Sequence, residues 1–125
     1  MARKSTHTIQ WLAQPEEHDF PAATSYLSLI WDEKKVDDTV TALLAAEMST
    51  FKAKDIFRAS QLSLLGVSNA HVEKNLQKIK TNTALSPLLL VRDSANARVV
   101  IADGYHRLCA VYAHDEDAVI PCKIV

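Results

Sequence analysis

The residues best suited to chemistry occupy one short stretch, Asp103-Gly104-Tyr105-His106-Arg107. The four apolar residues before this stretch predict a strand, and the residues after Gly104 predict a helix. Gly104 therefore lies where a strand becomes a helix, and the unpaired amide N–H groups at a helix start attract anions. His106 can exchange a proton near neutral pH, and the planar guanidinium of Arg107 suits phosphate or carboxylate. This combination indicates an anion-binding site.

A purely structural explanation fits the same residues. Asp103 can cap the helix that follows it, and Arg107 can form an ion pair within the fold instead of binding a ligand. The spacing of the residues is compatible with both explanations, so the sequence alone leaves both open.

Apolar periodicity predicts the elements that position this stretch. In the first half, a helix capped by Asp19 precedes a second helix over residues 33–47, which is capped by Asp32. The second half predicts a short strand or turn at 51–60, a helix from Ser68 or Asn69 to about residue 80, strands at 88–91 and 98–103, a helix at 104–114 and a strand at 118–125. Pro121 cannot donate a ladder hydrogen bond, which favours an edge or a locally unpaired position for it. The expected fold is α/β (α+β), a small mixed sheet with packed helices.

Composition excludes several classes of protein. The length of 125 residues fits a single domain, and 14 Lys+Arg against 15 Asp+Glu excludes a strongly basic nucleic-acid coat. Gly66, placed in an ordinary turn, and Gly104 are the only two glycines, so a glycine-rich phosphate loop is excluded. Two cysteines, Cys109 and Cys122, are too few for a disulfide framework or a four-cysteine zinc site.

The chain carries no recognisable targeting or membrane signal. The first twelve residues lack the continuous apolar core of a signal peptide, and no apolar run approaches the roughly 20 residues that span a bilayer. The histidines do not follow a metal-binding spacing, so no metal site is expected. We therefore expect a cytoplasmic protein with reduced cysteines and no membrane partner.

The stretch from Asp103 to Ala110 resembles the glycine–histidine–arginine box of the ParB/sulfiredoxin superfamily. In ParB-like nuclease domains the corresponding stretch often reads Asp-Gly-His-His-Arg-Leu-Ala-Ala. The preceding strand at 85–91 and the closing strand at 120–125 occupy the expected places, and the similarity covers about residues 50–125. The resemblance implies a ParB/sulfiredoxin-like core at 50–125 with a helical extension at 1–48, whose role the sequence does not reveal. It also implies that Lys52, Lys54 and Arg58 border the site, although an ordinary surface position explains each of these cations too.

The residues of the box differ from those that each group of the superfamily uses for its activity. Sulfiredoxins use a Gly-Cys-His-Arg box, and Tyr105 replaces the attacking cysteine here, which makes sulfinate reduction improbable. Chromosome-partitioning ParB proteins bind a cytidine nucleotide through a Gly-Glu-Arg-Arg box. Here Tyr105 replaces the glutamate and His106 replaces the first arginine, whereas Arg107 matches the second arginine. The ParB-like nucleases match best, but Asp103 is the only carboxylate in the box, and metal-dependent hydrolysis usually needs a fuller carboxylate–metal arrangement.

The resulting hypothesis is binding of a phosphate-bearing ligand, in the first place a nucleotide with or without Mg²⁺. Gly104, Tyr105, His106 and Arg107 are its predicted ligand-binding residues, and His106 and Asp103 are catalytic if the protein is an enzyme. Two alternatives stay open, namely a non-catalytic interaction module with a degenerate pocket and a nuclease or phosphohydrolase. A nucleic-acid partner is the less supported of the possible ligands.

Overall fold

The computed structural model describes residues 8–63 and 69–125, and within them the chain forms helices on both faces of one mixed sheet. The helices are α1 Asp19–Leu27, α2 Glu33–Ala45, α3 Ala53–Ser60, α4 Ala70–Lys80 and α5 Tyr105–His114. The strands are β1 Met48–Lys52, β2 Leu88–Asp93, β3 Arg98–Asp103 and β4 Val119–Ile124. The strand order is β1-β4-β2-β3, in which β2 and β4 run parallel and the other two pairs are antiparallel. The expected α+β class is confirmed.

The helices α3 and α5 pack on one face of the sheet. Ile56 of α3, Leu108 of α5 and Ile120 of β4 belong to one buried cluster, together with Leu88 of β2 and Ile101 of β3. These residues recur at every second position of the strands and at helical spacing on the helices. The helix α4 adds to this layer by packing against α5 through Val72, Cys109 and Ala110.

The helices of the first half cover the opposite face of the sheet. Leu27 of α1 and Leu43 of α2 are fully buried in a cluster with Leu89 of β2 and Val100 of β3. Residues of β2 and β3 thus alternate between the two clusters. Both strands are apolar on both faces because helices lie above and below them. None of the helices in the described residues is long and apolar enough to cross a bilayer.

Two of the predicted helix starts are confirmed at the level of single hydrogen bonds. The Asp32 side chain accepts a hydrogen bond from the Lys35 amide at the start of α2, and the Asn69 side chain accepts from the amides of His71 and Val72 at the start of α4. The alternative cap, Ser68, and the turn predicted at Gly66 lie outside the described residues.

Other local predictions were wrong for identifiable reasons. Residues 53–60 form α3 instead of a strand or turn, since Ala53, Ile56 and Ser60 share one buried face at helical spacing within only eight residues. Pro121 lies in β4, which is an interior strand, and is paired with Thr50 of β1. The ladder with β2 begins one residue later, at Cys122, so Pro121 is unpaired on that side; the predicted edge position is wrong, and the alternative of a locally unpaired position holds there.

The packing of α1 predicts that the helical half contributes to the stability of the whole domain. Leu27→Ala removes a fully buried side chain beneath the sheet, and we expect the free energy of unfolding to fall by about 2–5 kcal/mol. Leu29→Ala, just beyond the end of α1 where the side chain is 83% exposed, is the matched control and should change that free energy by no more than about 0.5 kcal/mol. Urea denaturation measures both. Equal effects of the two substitutions would contradict a shared core.

Candidate functional site

The backbone at Gly104 sets the geometry of the box. Gly104 is the N-cap residue of α5 and has a φ of 111°, a region that side chains rarely tolerate. A Cβ atom at this position would lie 2.7 Å from Cγ of Leu88 and 2.9 Å from Nη2 of Arg107. Any other residue would therefore displace the arginine or the core leucine, and the strand-to-helix junction requires glycine.

The two opposite charges of the box form an ion pair. Nη2 of Arg107 lies 2.9 Å from Oδ2 of Asp103, and each side chain is 17% exposed. The same nitrogen donates a longer hydrogen bond, 3.4 Å, to the carbonyl oxygen of Pro87. Nε of Arg107 is buried and has no hydrogen-bond partner in the described residues. The structure therefore shows the ion pair that the structural explanation anticipated, whereas no side chain among residues 8–63 and 69–125 caps α5.

A residue of the first half, Asp19, lies next to Asp103 of this ion pair. Its predicted capping role is wrong, because its Oδ2 accepts a hydrogen bond from the Ser86 hydroxyl and another, at 3.0 Å, from the Glu16 amide. The pKa of Asp103 is raised, first by burial and then by the charge and hydrogen bond of Asp19, while Arg107 acts in the opposite direction. Asp19 therefore links the helical half to the box, a connection that its local sequence does not reveal.

The first five residues of the box, 103–107, line one cavity of about 230 Å³ between α4 and α5. The remaining lining residues come from one helix and recur at helical spacing: His71, Lys74, Asn75 and Lys78. Sequence reasoning identified the apolar stripe of α4 but not this polar stripe beside it. The i, i+3, i+4, i+7 spacing of these residues was the available signal.

The imidazoles of His71 and His106 are in contact across the cavity, with ring centroids 4.8 Å apart. Burial lowers the pKa of His106, and the neighbouring His71 and Arg107 lower it further. Because a depressed pKa favours the neutral form, His106 is suited to accept a proton when a negative charge enters the cavity.

Tyr105 also belongs to the cavity wall, but its hydroxyl points elsewhere. The hydroxyl donates a hydrogen bond to the carbonyl oxygen of Ser63. Burial raises the pKa of this tyrosine, and the neighbouring Cys109 raises it further. The residue that stands in place of the sulfiredoxin cysteine therefore hydrogen-bonds to Ser63 and offers no ionised oxygen at neutral pH.

The cations expected to border the site lie elsewhere. Lys54 and Arg58 line a different cavity, together with Phe57 and Tyr112, and Lys54 is ion-paired with Asp117 at 2.7 Å. Lys52 does not line the cavity of the box either. These three residues precede or belong to α3, which packs beside the far part of α5, whereas α4 supplies the lysines of the site.

The cysteines are free and buried, and burial raises the pKa of Cys122 to about 11. A thiol of that pKa is almost entirely protonated at neutral pH and is a poor nucleophile. Within residues 8–63 and 69–125, no group of three or more His, Cys, Asp or Glu side chains is arranged to hold a metal ion.

Comparisons of the chain with models of protein families, with curated proteins and with solved structures gave no match.

The raised pKa of Asp103 predicts a stability that falls as the pH rises. A carboxyl whose folded-state pKa lies above its unfolded value stabilises the fold while it is protonated, and this contribution is lost as the pH rises from about 3.8 through the folded-state value. Asp103→Asn should remove this dependence, which urea denaturation at several pH values measures against the parent protein.

Asp93 provides a control of opposite sign. Hydrogen bonds from Asn96 and Arg98 lower the pKa of Asp93, so its contribution to stability is lost as the pH falls. If Asp103→Asn and Asp93→Asn change the pH dependence in the same direction, the assignment of the raised pKa to Asp103 fails.

Proposed function

We propose that the protein binds a phosphate-bearing ligand, in the first place a nucleotide, in the cavity between α4 and α5. The observation that supports this proposal is the convergence of cationic and hydrogen-bonding side chains from two helices on the start of α5. Lys74 and Lys78 lie on α4, His106 lies on α5, and the cavity includes the first turn of α5. Helix starts favour anions because their first amides have no partner within the helix.

The balance of charge in the cavity favours an anion. Among the described residues of the lining, Asp103 is the only carboxylate, and Arg107 already compensates it. Lys74 and Lys78 form no ion pair with any residue of 8–63 or 69–125, which leaves two positive charges for a ligand. In this arrangement Lys74 and Lys78 supply the principal electrostatic attraction for an anion, and Arg107, which is paired with Asp103, forms part of the cavity wall.

The size of the cavity limits what can enter it. About 230 Å³ is below the roughly 300–1,000 Å³ of pockets that enclose whole small-molecule ligands. A phosphate or diphosphate group fits in such a volume, and a nucleoside attached to it would lie at the rim. The single lining carboxylate is engaged by Arg107, so Mg²⁺ would arrive with the phosphates of the ligand rather than be held by the protein alone.

The contacts of Asp103 favour binding over hydrolysis. A carboxylate that activates water must be open to that water, and this one is mostly buried between Arg107 and Asp19. His106 can still transfer a proton at the cavity wall. Simple binding therefore needs fewer rearrangements of this site than a nuclease or phosphohydrolase reaction does.

The lysines of α4 provide the direct test of the proposal. A charge-assisted hydrogen bond contributes about 1.5–3 kcal/mol, so Lys74→Ala and Lys78→Ala should each weaken binding about tenfold or more. Lys80→Ala is the matched control, because Lys80 ends the same helix without lining the cavity. Calorimetric titration with inorganic phosphate, pyrophosphate, AMP and ATP, each with and without Mg²⁺, measures the affinities.

A thermal-shift assay with the same compounds gives an independent reading. A ligand at 100 times its Kd stabilises the folded protein by about 2.7 kcal/mol. Absence of a shift and of heat with every compound would reject the proposal in favour of an interaction module. An equal loss of affinity in Lys80→Ala would show that the binding is not at this cavity. Arg107→Ala is less informative, because it also leaves Asp103 without its partner.

A further inference from the structure

We propose that the cavity selects a terminal, doubly ionised phosphate group over a phosphodiester, and that His106, in contact with His71, takes up a proton when it binds. This inference rests on the proposed function and specifies its ligand class. It follows from the placement of two imidazoles among fixed positive charges in one cavity.

The two histidines come from different helices and meet because of how those helices pack. His71 lies in the first turn of α4 and His106 in the first turn of α5, and the helices are joined through the buried side chains of Val72, Cys109 and Ala110. Their ring centroids are 4.8 Å apart, and both rings line the cavity. A ligand group that enters the cavity therefore meets both imidazoles.

The groups around the pair oppose protonation of His106 in the absence of a ligand. From α4 the pair faces Lys74 and Lys78, and from α5 it faces Arg107 and the phenol of Tyr105. The one carboxyl group that the described part of the chain contributes to the lining, Asp103 of β3, is paired with Arg107. A protonated His106 would add its charge to those of Lys74, Lys78 and Arg107 in the same lining, so the free protein favours the neutral form of His106. The lowered pKa of His106 agrees with this balance.

A doubly charged anion in the cavity favours protonation, in contrast to the free protein. A negative charge placed beside the two rings favours the protonated form of His106, which then donates a charge-assisted hydrogen bond to a phosphate oxygen, and a ring N–H of His71 can donate a second. A phosphodiester carries one negative charge and has two of its oxygens esterified. It therefore compensates fewer of the cations and offers fewer acceptors, which makes a terminal phosphate the better ligand.

The experiment compares AMP with 3′,5′-cyclic AMP, which share a nucleoside and differ in the phosphate. The second pKa of a phosphomonoester is about 6, so AMP is largely a dianion at pH 7.5 and releases few protons itself. Calorimetry at pH 7.5 in buffers of different ionisation enthalpy gives the number of protons taken up. We expect an uptake of up to about one proton and an affinity for AMP about tenfold or more above that for cyclic AMP.

Histidine variants assign the proton to His106 and its contact with His71. His71→Gln and His106→Gln should each reduce both the proton uptake and the preference for AMP, and His71 is exposed, so its substitution should not disturb folding. His114→Gln is the matched control at the other end of α5, where His114 lines a different cavity. It should leave uptake and preference unchanged.

The possible results separate the two proposals. Binding of AMP without proton uptake, or with an affinity equal to that of cyclic AMP, overturns this inference and leaves phosphate binding intact. Proton uptake that persists when both His71 and His106 are replaced overturns it as well, because another group would then be responsible. Absence of binding by AMP, cyclic AMP and inorganic phosphate overturns the proposed function and this inference with it.

Discussion

The ion pair between Arg107 and Asp103 is the interaction on which the arrangement of the site depends. It joins the last residue of β3 to the first turn of α5 across Gly104, whose missing side chain leaves the space that Nη2 of Arg107 occupies. Through Asp103 it also meets Asp19, which is bonded to Ser86 just before β2. One buried polar network thus connects α1, β2, β3 and α5. Removing one member would leave a partly buried charge without its partner, which costs far more than the pair itself contributes.

This ion pair also determines which residues remain for a ligand. Considered alone, the box suggests that Arg107 clamps a phosphate, because guanidinium groups suit phosphate geometry. Since Arg107 is already neutralised by Asp103, the uncompensated charge in the cavity belongs to Lys74 and Lys78 of α4. The site is therefore shared by two helices, and residues 103–107 supply only one side of it.

The sequence predicted what local patterns determine. The caps Asp32 and Asn69 and the strand-to-helix junction at Gly104 each depend on residues within a few positions of one another. Asp19 could not be understood in this way, because its partner Ser86 is 67 positions away and only the packing of α1 on the sheet brings them together. The interior position of β4 is equally non-local, since two distant strands, β1 and β2, pair with its two sides.

The lysines of α4 follow a local pattern that is visible in the sequence, but their place in the site depends on helix packing that is not. Their helical spacing is visible in the sequence, but a polar stripe on a helix usually faces water, and nothing local distinguishes it from the wall of a site. The distinction arises from the small side chains of Cys109 and Ala110, which are buried together with Val72 where α4 packs against α5. Small side chains at such a contact let two helices approach closely, and interaxial distances vary with the residues at the contact. The polar edges of α4 and α5 then converge, so the cavity follows from the packing of the helices as much as from the residues that line it.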